Sequence, residues 1–156
     1  MIFFLFKPIK VPVQKSGEIA LLKLEKFKIT ELSDSGLLNI LDGEQGLRYP
    51  NKYIVKKFNY VDNENEYLVR IKSDKGIYAG DLFDLEGDVV YSRADGISFL
   101  SQKVHYNKTQ KIVKSPVKFV SMMGENKITG SSIEYNNITG ITNSKNVTIN
   151  YKFKER

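Results

Sequence analysis

The side chains that could carry acid–base or metal chemistry are few. His105 is the only histidine, cysteine is absent, and acids cluster at Asp81, Asp84, Glu86 and Asp88. Such a cluster could hold a calcium ion through carboxylate oxygens. Asp84, Glu86 and Asp88 alternate along an extended stretch, however, so they share one strand face and read as a solvated surface. His105, between Val104 and Tyr106, reads as a solvent-facing structural residue of another strand. Phosphate-binding, nucleophile-elbow, zinc-protease and dinucleotide motifs are missing. Without cysteine, neither a disulfide framework nor a thiolate metal site can form. The chain therefore reads as a non-enzyme with no catalytic residue, no metal site and no cofactor. Asn-x-Thr triplets at Asn107, Asn137 and Asn146 match glycosylation acceptors. Asn107 and Asn137 fall in expected turns, where both residue types are common for backbone reasons.

The other chemistry that spacing can encode is apolar solvation, and here the sequence is richer. After Leu37 it runs in short β-forming stretches broken by Asn/Asp/Gly clusters such as "DGEQG", "DNENE", "LEGD", "RADG" and "NNITG", and "SDSG" just before that residue is of the same kind. These clusters are hairpin-turn signals between antiparallel strands. Only Glu18 to Ile29 could be helical, and it alternates well enough for a strand. Tyr78, Tyr106 and Tyr135 open similar hairpins 28 and 29 residues apart, answered by Val89, Val117 and Val147.

Each hairpin is apolar on one face only. Phe83, Leu85, Val89 and Tyr91 alternate with Asp84, Glu86, Asp88 and Val90. Val113, Val117 and Phe119 alternate with Lys114, Pro116 and Lys118, and Val147, Ile149, Tyr151 and Phe153 alternate with polar neighbours. No such hairpin can bury its face alone, so the units must stack. The expected fold is all-β. It is either two antiparallel sheets packed face to face or one sheet curled around an apolar interior.

At 156 residues, 41% hydrophobic and 27% charged, the chain is one folded domain with a real core. A formal charge of +6 and a pI near 9.3 favour anionic partners. The start, "MIFFLF" followed by Lys7, Pro8, Lys10 and Pro12, is too short for a membrane span of about 20 apolar residues. Its abrupt switch to lysine and proline suits the outer end of an anchor helix. Residues 1–15 are thus expected to be the remnant of an N-terminal membrane anchor and its linker, and residues 16–156 the folded domain.

The long run from Leu85 to Ile149 resembles the LptC family, the periplasmic component of the lipopolysaccharide-export machine, and its OstA-type relatives. The resemblance is carried by Leu85, Gly87 and Val89; by Gly96, Phe99 and Ser101; by Tyr106 and Asn107; by Pro116 and Val117; and by Ile128, Gly130, Ile133, Tyr135 and Asn136. Upstream, "ITELSDSGLLNILDGEQGLRY" is similar to the family's first hairpin, with Gly36 in its turn. Each motif is weak alone; their order over residues 27–150 carries the match. The truncated anchor departs from the family pattern.

This resemblance implies a twisted, open jelly roll in the periplasm, held to the inner membrane by a single N-terminal anchor. It implies lipopolysaccharide accepted from the subunits of an inner-membrane ABC transporter and passed to a bridge jelly roll of the LptA type. On this reading the lipid path comprises Phe27, Leu38, Ile40, Phe58, Tyr60, Phe83, Leu85, Tyr91, Phe119 and Tyr135. Gly36 is expected at a positive-φ turn and Gly130 at a close approach inside a strand. The last strand, with Val147, Ile149, Tyr151 and Phe153, is expected to offer a docking edge to the bridge protein, and a homodimer is left open. The rival is a basic, OB-like nucleic-acid-binding barrel. Against it stand the absence of tryptophan, the number of hairpins and aromatics that share faces with aliphatics.

Overall fold

The computed structural model describes residues 19–63 and 66–153. The strands in chain order are β1 Leu22–Ser33, β2 Gly36–Arg48, β3 Tyr53–Asp62, β4 Val69–Ala79, β5 Leu82–Arg93 and β6 Ile97–Asn107. Shorter ones follow: β7 Ile112–Ser115, β8 Phe119–Met123, β9 Asn126–Gly130, β10 Ser132–Asn136, β11 Thr142–Lys145 and β12 Thr148–Asn150. There is no helix among the described residues, and Leu22–Ile29, in the stretch that read as helix or strand, belongs to β1.

The strands join in one antiparallel, hydrogen-bonded sheet that follows chain order as a meander. Turns therefore alternate between two ends. The β2–β3, β4–β5, β6–β7 and β10–β11 turns share the near end with the start of β1; the β1–β2, β3–β4, β5–β6 and β8–β9 turns share the far end.

A crease crosses the sheet midway between these ends. Strict alternation would put residues an even number apart on one face, yet Val55 and Phe58 of β3 are both buried. Lys57 between them has φ +55°, and Lys26 and Asp88 mark the crossing in β1 and β5 with φ +46° and +43°. Pairing slips by a bulge at the same level, between Lys72 and Lys75 in β4 and between Glu86 and Val89 in β5. Bulges of this kind bend a strand and increase its twist.

Serines hold the crease from inside. Ser73, Ser101 and Ser115 are buried, and each hydroxyl lies within donating distance of the carbonyl two residues on, at Lys75, Lys103 and Val117. Ser101 and Ser115 Oγ also lie 2.7 Å apart, so one of these two hydroxyls donates to the other instead of to its carbonyl. A buried hydroxyl left unpaired would cost about 1–3 kcal/mol, so these bonds make polar side chains tolerable there.

Beyond β6 the crease becomes a break. The near part of β6 pairs with β7 and its far part with β8, so β7 and β8 are two halves of one strand interrupted at Pro116. The same division gives β9 and β10 around Ser131, and β12 and β11 around Asn146, whose φ is +53°. The expected continuous final strand is thus corrected: Asn146 turns the chain, β12 covers only Thr148–Asn150, and Tyr151 and Phe153 lie past its end.

Folding at the crease turns one sheet into two facing halves that share a core. Val55 and Leu85 come from the near half; Leu41, Phe58, Tyr60 and Val89 come from the far half, with Phe27, Ile29, Ile71, Phe83 and Val104 packed around them. The result is the all-β, open, twisted jelly roll, with hairpins stacked in sequence order.

Candidate functional site

The register sorts the inward side chains into rows that run from one sheet edge to the other. Deep in the near half, Leu24, Gly46, Val55, Gly76, Leu85 and Val104 pair in succession. Two residues nearer the open end runs an aromatic row. Arg48 pairs with Tyr53, Tyr53 with Tyr78, Tyr78 with Phe83 and Phe83 with Tyr106. The row continues through Val113 to Tyr135 and Thr142. Neighbouring rings touch, with centroids 6.2 Å apart for Tyr53–Tyr78 and 6.1 Å for Tyr78–Phe83. The tyrosines that mark the sequence repeat thus occupy one continuous stripe. In the far half the matching row is Ile29, Leu41, Tyr60, Ile71, Tyr91 and Phe99, then Ser121, Ile128 and Ile149.

Most of the expected path residues meet in this interior. Phe58 and Phe83 face one another across the crease at 5.5 Å, Phe58 stacks near Tyr60 at 6.3 Å, and Leu85 closes the floor. Phe119 is buried and stacks on Phe99 at 5.6 Å, while Tyr91 and Phe27 are half-buried on the same inner surface. Tyr135 lies on the aromatic row but is 39% exposed. Ile40 does not point inward. Asn39 and Leu41 are 1% and 2% exposed, so alternation sends Ile40 to the opposite face, and Leu38 is the extra residue at a register slip between β1 and β2. The run "GLLNILDG" is apolar on both faces, and its inward polar residue misled the assignment.

Both glycines sit as expected. Gly36 has φ +125° in the β1–β2 turn. A Cβ at Gly130 would lie 2.6 Å from Phe119 Cε1 and 3.0 Å from the Lys145 carbonyl oxygen. The last edge is open: β11 and β12 are exposed throughout, with Val147 43%, Ile149 61%, Tyr151 69% and Phe153 77% exposed.

Asp84, Asp88 and His105 lie on the outer face and Asp81 in the β4–β5 turn, each with a partner of its own. Asp84 contacts His105 Nδ1, Asp88 accepts from the Gln102 side chain at 2.8 Å, and Asp81 accepts from Thr109 Oγ1 at 2.6 Å. Among the described residues no three His, Cys, Asp or Glu side chains converge on a common point. The Asn107 side chain accepts from the Gln110 amide, but in the β10–β11 turn that role falls to Asn136 and not to the triplet residue Asn137.

Sequence reasoning missed two apolar-walled openings at the near end. A cavity of about 300 Å³ is lined by Leu21, Arg48, Tyr49, Lys52, Tyr53 and Tyr78 among others. Beside it lies a slot of about 110 Å³ between Leu22, Leu24, Phe27, Ile29, Leu47 and Val55. The signal was available in "LRYPNKY", where cations and tyrosines interleave around a turn.

The fold has a solved counterpart. The crystal structure of LptH, the LptA-homologous periplasmic component of the lipopolysaccharide transport device of Pseudomonas aeruginosa, superposes with a TM-score of 0.54 at 10% identity. The match covers 84% of this chain and 94% of that one. No curated protein sequence matches the chain. A family model does, described as lipopolysaccharide-assembly, LptC-related, over residues 5–152. The chain belongs to that lipopolysaccharide-assembly family.

Proposed function

We propose that this protein is the lipopolysaccharide-accepting component of an inner-membrane export complex. It takes lipopolysaccharide from the ABC transporter and passes it to a periplasmic bridge jelly roll through its last strand. The observation that carries this reading is the row from Tyr53 to Tyr135 across the near half, aromatic at every strand but β7, where Val113 stands. An acyl chain laid along it would stay out of water during transfer. Each buried methylene contributes about 0.8 kcal/mol, so a chain of about a dozen costs on the order of 10 kcal/mol to expose. The interior only lowers that barrier; net movement needs energy from the transporter. The uncovered β11–β12 edge supports the hand-over, because an unpaired strand recruits another. Residues 1–15, read as the remnant of the membrane anchor and its linker, lie outside the described residues. The nucleic-acid reading gains nothing from this arrangement, since Phe27, Phe58, Tyr60 and Phe83 pack among aliphatics.

Photo-crosslinking in cells tests the proposal. A crosslinker at Phe83, Tyr91 or Tyr106 should capture lipopolysaccharide, one at Ile149 should capture the bridge protein, and outward Asp84 and Lys118 should capture neither. Equal capture of lipopolysaccharide from inward and outward positions would sink the reading.

A further inference from the structure

The aromatic row contains one charge. Among its described members from Leu22 to Thr142, only Arg48 is ionic, and it stands on the inner face beside Tyr53. A cation placed at the mouth of an apolar interior is costly unless it meets an anion or a ring. Arg48 has the ring: its guanidinium lies over Tyr53, 5.6 Å from the centroid. Two residues past the turn proline, Lys52 Nζ lies 5.3 Å from the centre of the Tyr49 ring. Stacking on a ring face preserves the in-plane N–H fork that matches phosphate geometry. The two near-end openings share Arg48 and Tyr53 as a common wall. One side of that wall is an apolar slot, and the other is a roomier cavity bearing both cations.

We propose that this wall is a headgroup station, in which Arg48 and Lys52 bind the phosphate of an acylated ligand whose chain starts in the slot behind Tyr53. The inference rests on the lipid-binding reading and deepens it by fixing the ligand's orientation: anionic end at the near mouth beside β1, apolar end toward the crease. Asp81 also lines the larger cavity. Its carboxylate is engaged by Thr109 and repels an anion, which confines the phosphate to the Arg48–Lys52 side.

Calorimetry on the purified chain with three probes tests this: dodecyl phosphate, dodecyl maltoside (same chain, no charge) and inorganic phosphate. The wild-type protein should prefer dodecyl phosphate to the maltoside by about tenfold, the scale of one charge-assisted hydrogen bond. That preference should shrink with added salt. The double variant Arg48→Gln/Lys52→Gln should erase the preference by weakening dodecyl phosphate far more than maltoside, and Leu24→Asn should weaken both amphiphiles. Inorganic phosphate binding as tightly as dodecyl phosphate would mean a free-anion site and overturn the proposal. A salt-insensitive wild-type preference, or one that survives the double variant, overturns it as well. Lipopolysaccharide capture from Phe83 in a protein indifferent to headgroup charge would sink this station alone. The phosphate preference without any such capture would uphold the station and sink the transport reading.

Discussion

The two ends of the chain solve the same bend differently. From β1 to β6 every strand crosses the crease intact, with positive φ at Lys26, Lys57 and Asp88 and register slips in the β4–β5 and β5–β6 pairings, and the inner face is filled by Leu41, Val55, Phe58, Leu85 and Val89. Beyond β6 every strand breaks at the crease, and Tyr135 and Ile149, although on the inner rows, are 39% and 61% exposed. A bulge keeps the ladder continuous, so the two halves stay close enough to interdigitate. A break releases them to diverge. The first wall therefore holds most of the core, while the second, Phe119 and Ser115 excepted, is open to solvent, although both read in sequence as the same amphipathic hairpin.

The sharpest test compares truncations on the two walls. Phe58→Ala should cost about 3–5 kcal/mol of stability, as expected for a large ring lost from a packed interior. Ile149→Ala, at a position 61% exposed, should stay within about 0.5 kcal/mol. Urea denaturation reads both. Similar costs would mean that the second wall is packed in solution and that the contrast is wrong.

How much of this was legible beforehand follows from what alternation encodes. The strands, the hairpin turns and the inward set Phe83, Leu85, Val89 and Phe119 were readable, because one apolar face per strand is a local signal. Gly36 was readable too, since a tight turn after "SDS" demands positive φ. The crease was not readable. It depends on Lys26 and Lys57, as well as Asp88, adopting φ values that glycine usually supplies, and lysine gives no hint of it. Ile40 failed for a related reason: with both faces of β2 apolar, only pairing to β3 fixes which side is inside. Leu38 failed because it is the extra residue at a register slip, which pairing to β1 sets. The serines were invisible as well, because a buried hydroxyl is tolerated only where a carbonyl two residues on turns to meet it.

The glycines sharpen the comparison at intermediate size. Gly130→Arg drives a side chain into the Phe119 ring and the Lys145 carbonyl, which join β8, β9 and the turn after β11. A loss on the order of 2–3 kcal/mol is expected, concentrated in the second wall. Gly36→Val meets nothing within 4 Å, so its cost is the backbone conformation alone, about 1–2 kcal/mol. Thermal melts alongside a complementation assay separate the effects. Export should fail in Gly130→Arg even at a temperature where the protein remains folded, because the opening itself is deformed. A folded Gly130→Arg protein with normal export would uncouple the second wall from function.

The smallest effect lies on the outer crest of the crease, where the walls also differ. In the first wall Lys57 Nζ meets Asp74 at 3.1 Å; in the second the corresponding contact is neutral, Asn146 Nδ2 to Ser131 Oγ at 2.9 Å. The hydrogen bond and the charge of Asp74 together hold Lys57 above its ordinary pKa of 10.5. A group whose folded pKa is raised contributes stability that is complete below the unfolded pKa and disappears as pH climbs through the folded one. The Lys57 contribution should thus be constant through neutral pH and fade only above 10.5. Both side chains are half or more exposed, so solvent and salt screen the pair and its effect is small. Melting curves of wild type and Lys57→Met should run parallel below that pH and converge above it, with added salt narrowing the gap. Asn146→Ala should instead be offset from wild type by the same amount at every pH. A Lys57→Met curve that stays parallel into the alkaline range would show that the crest is held by backbone geometry alone, as in the second wall.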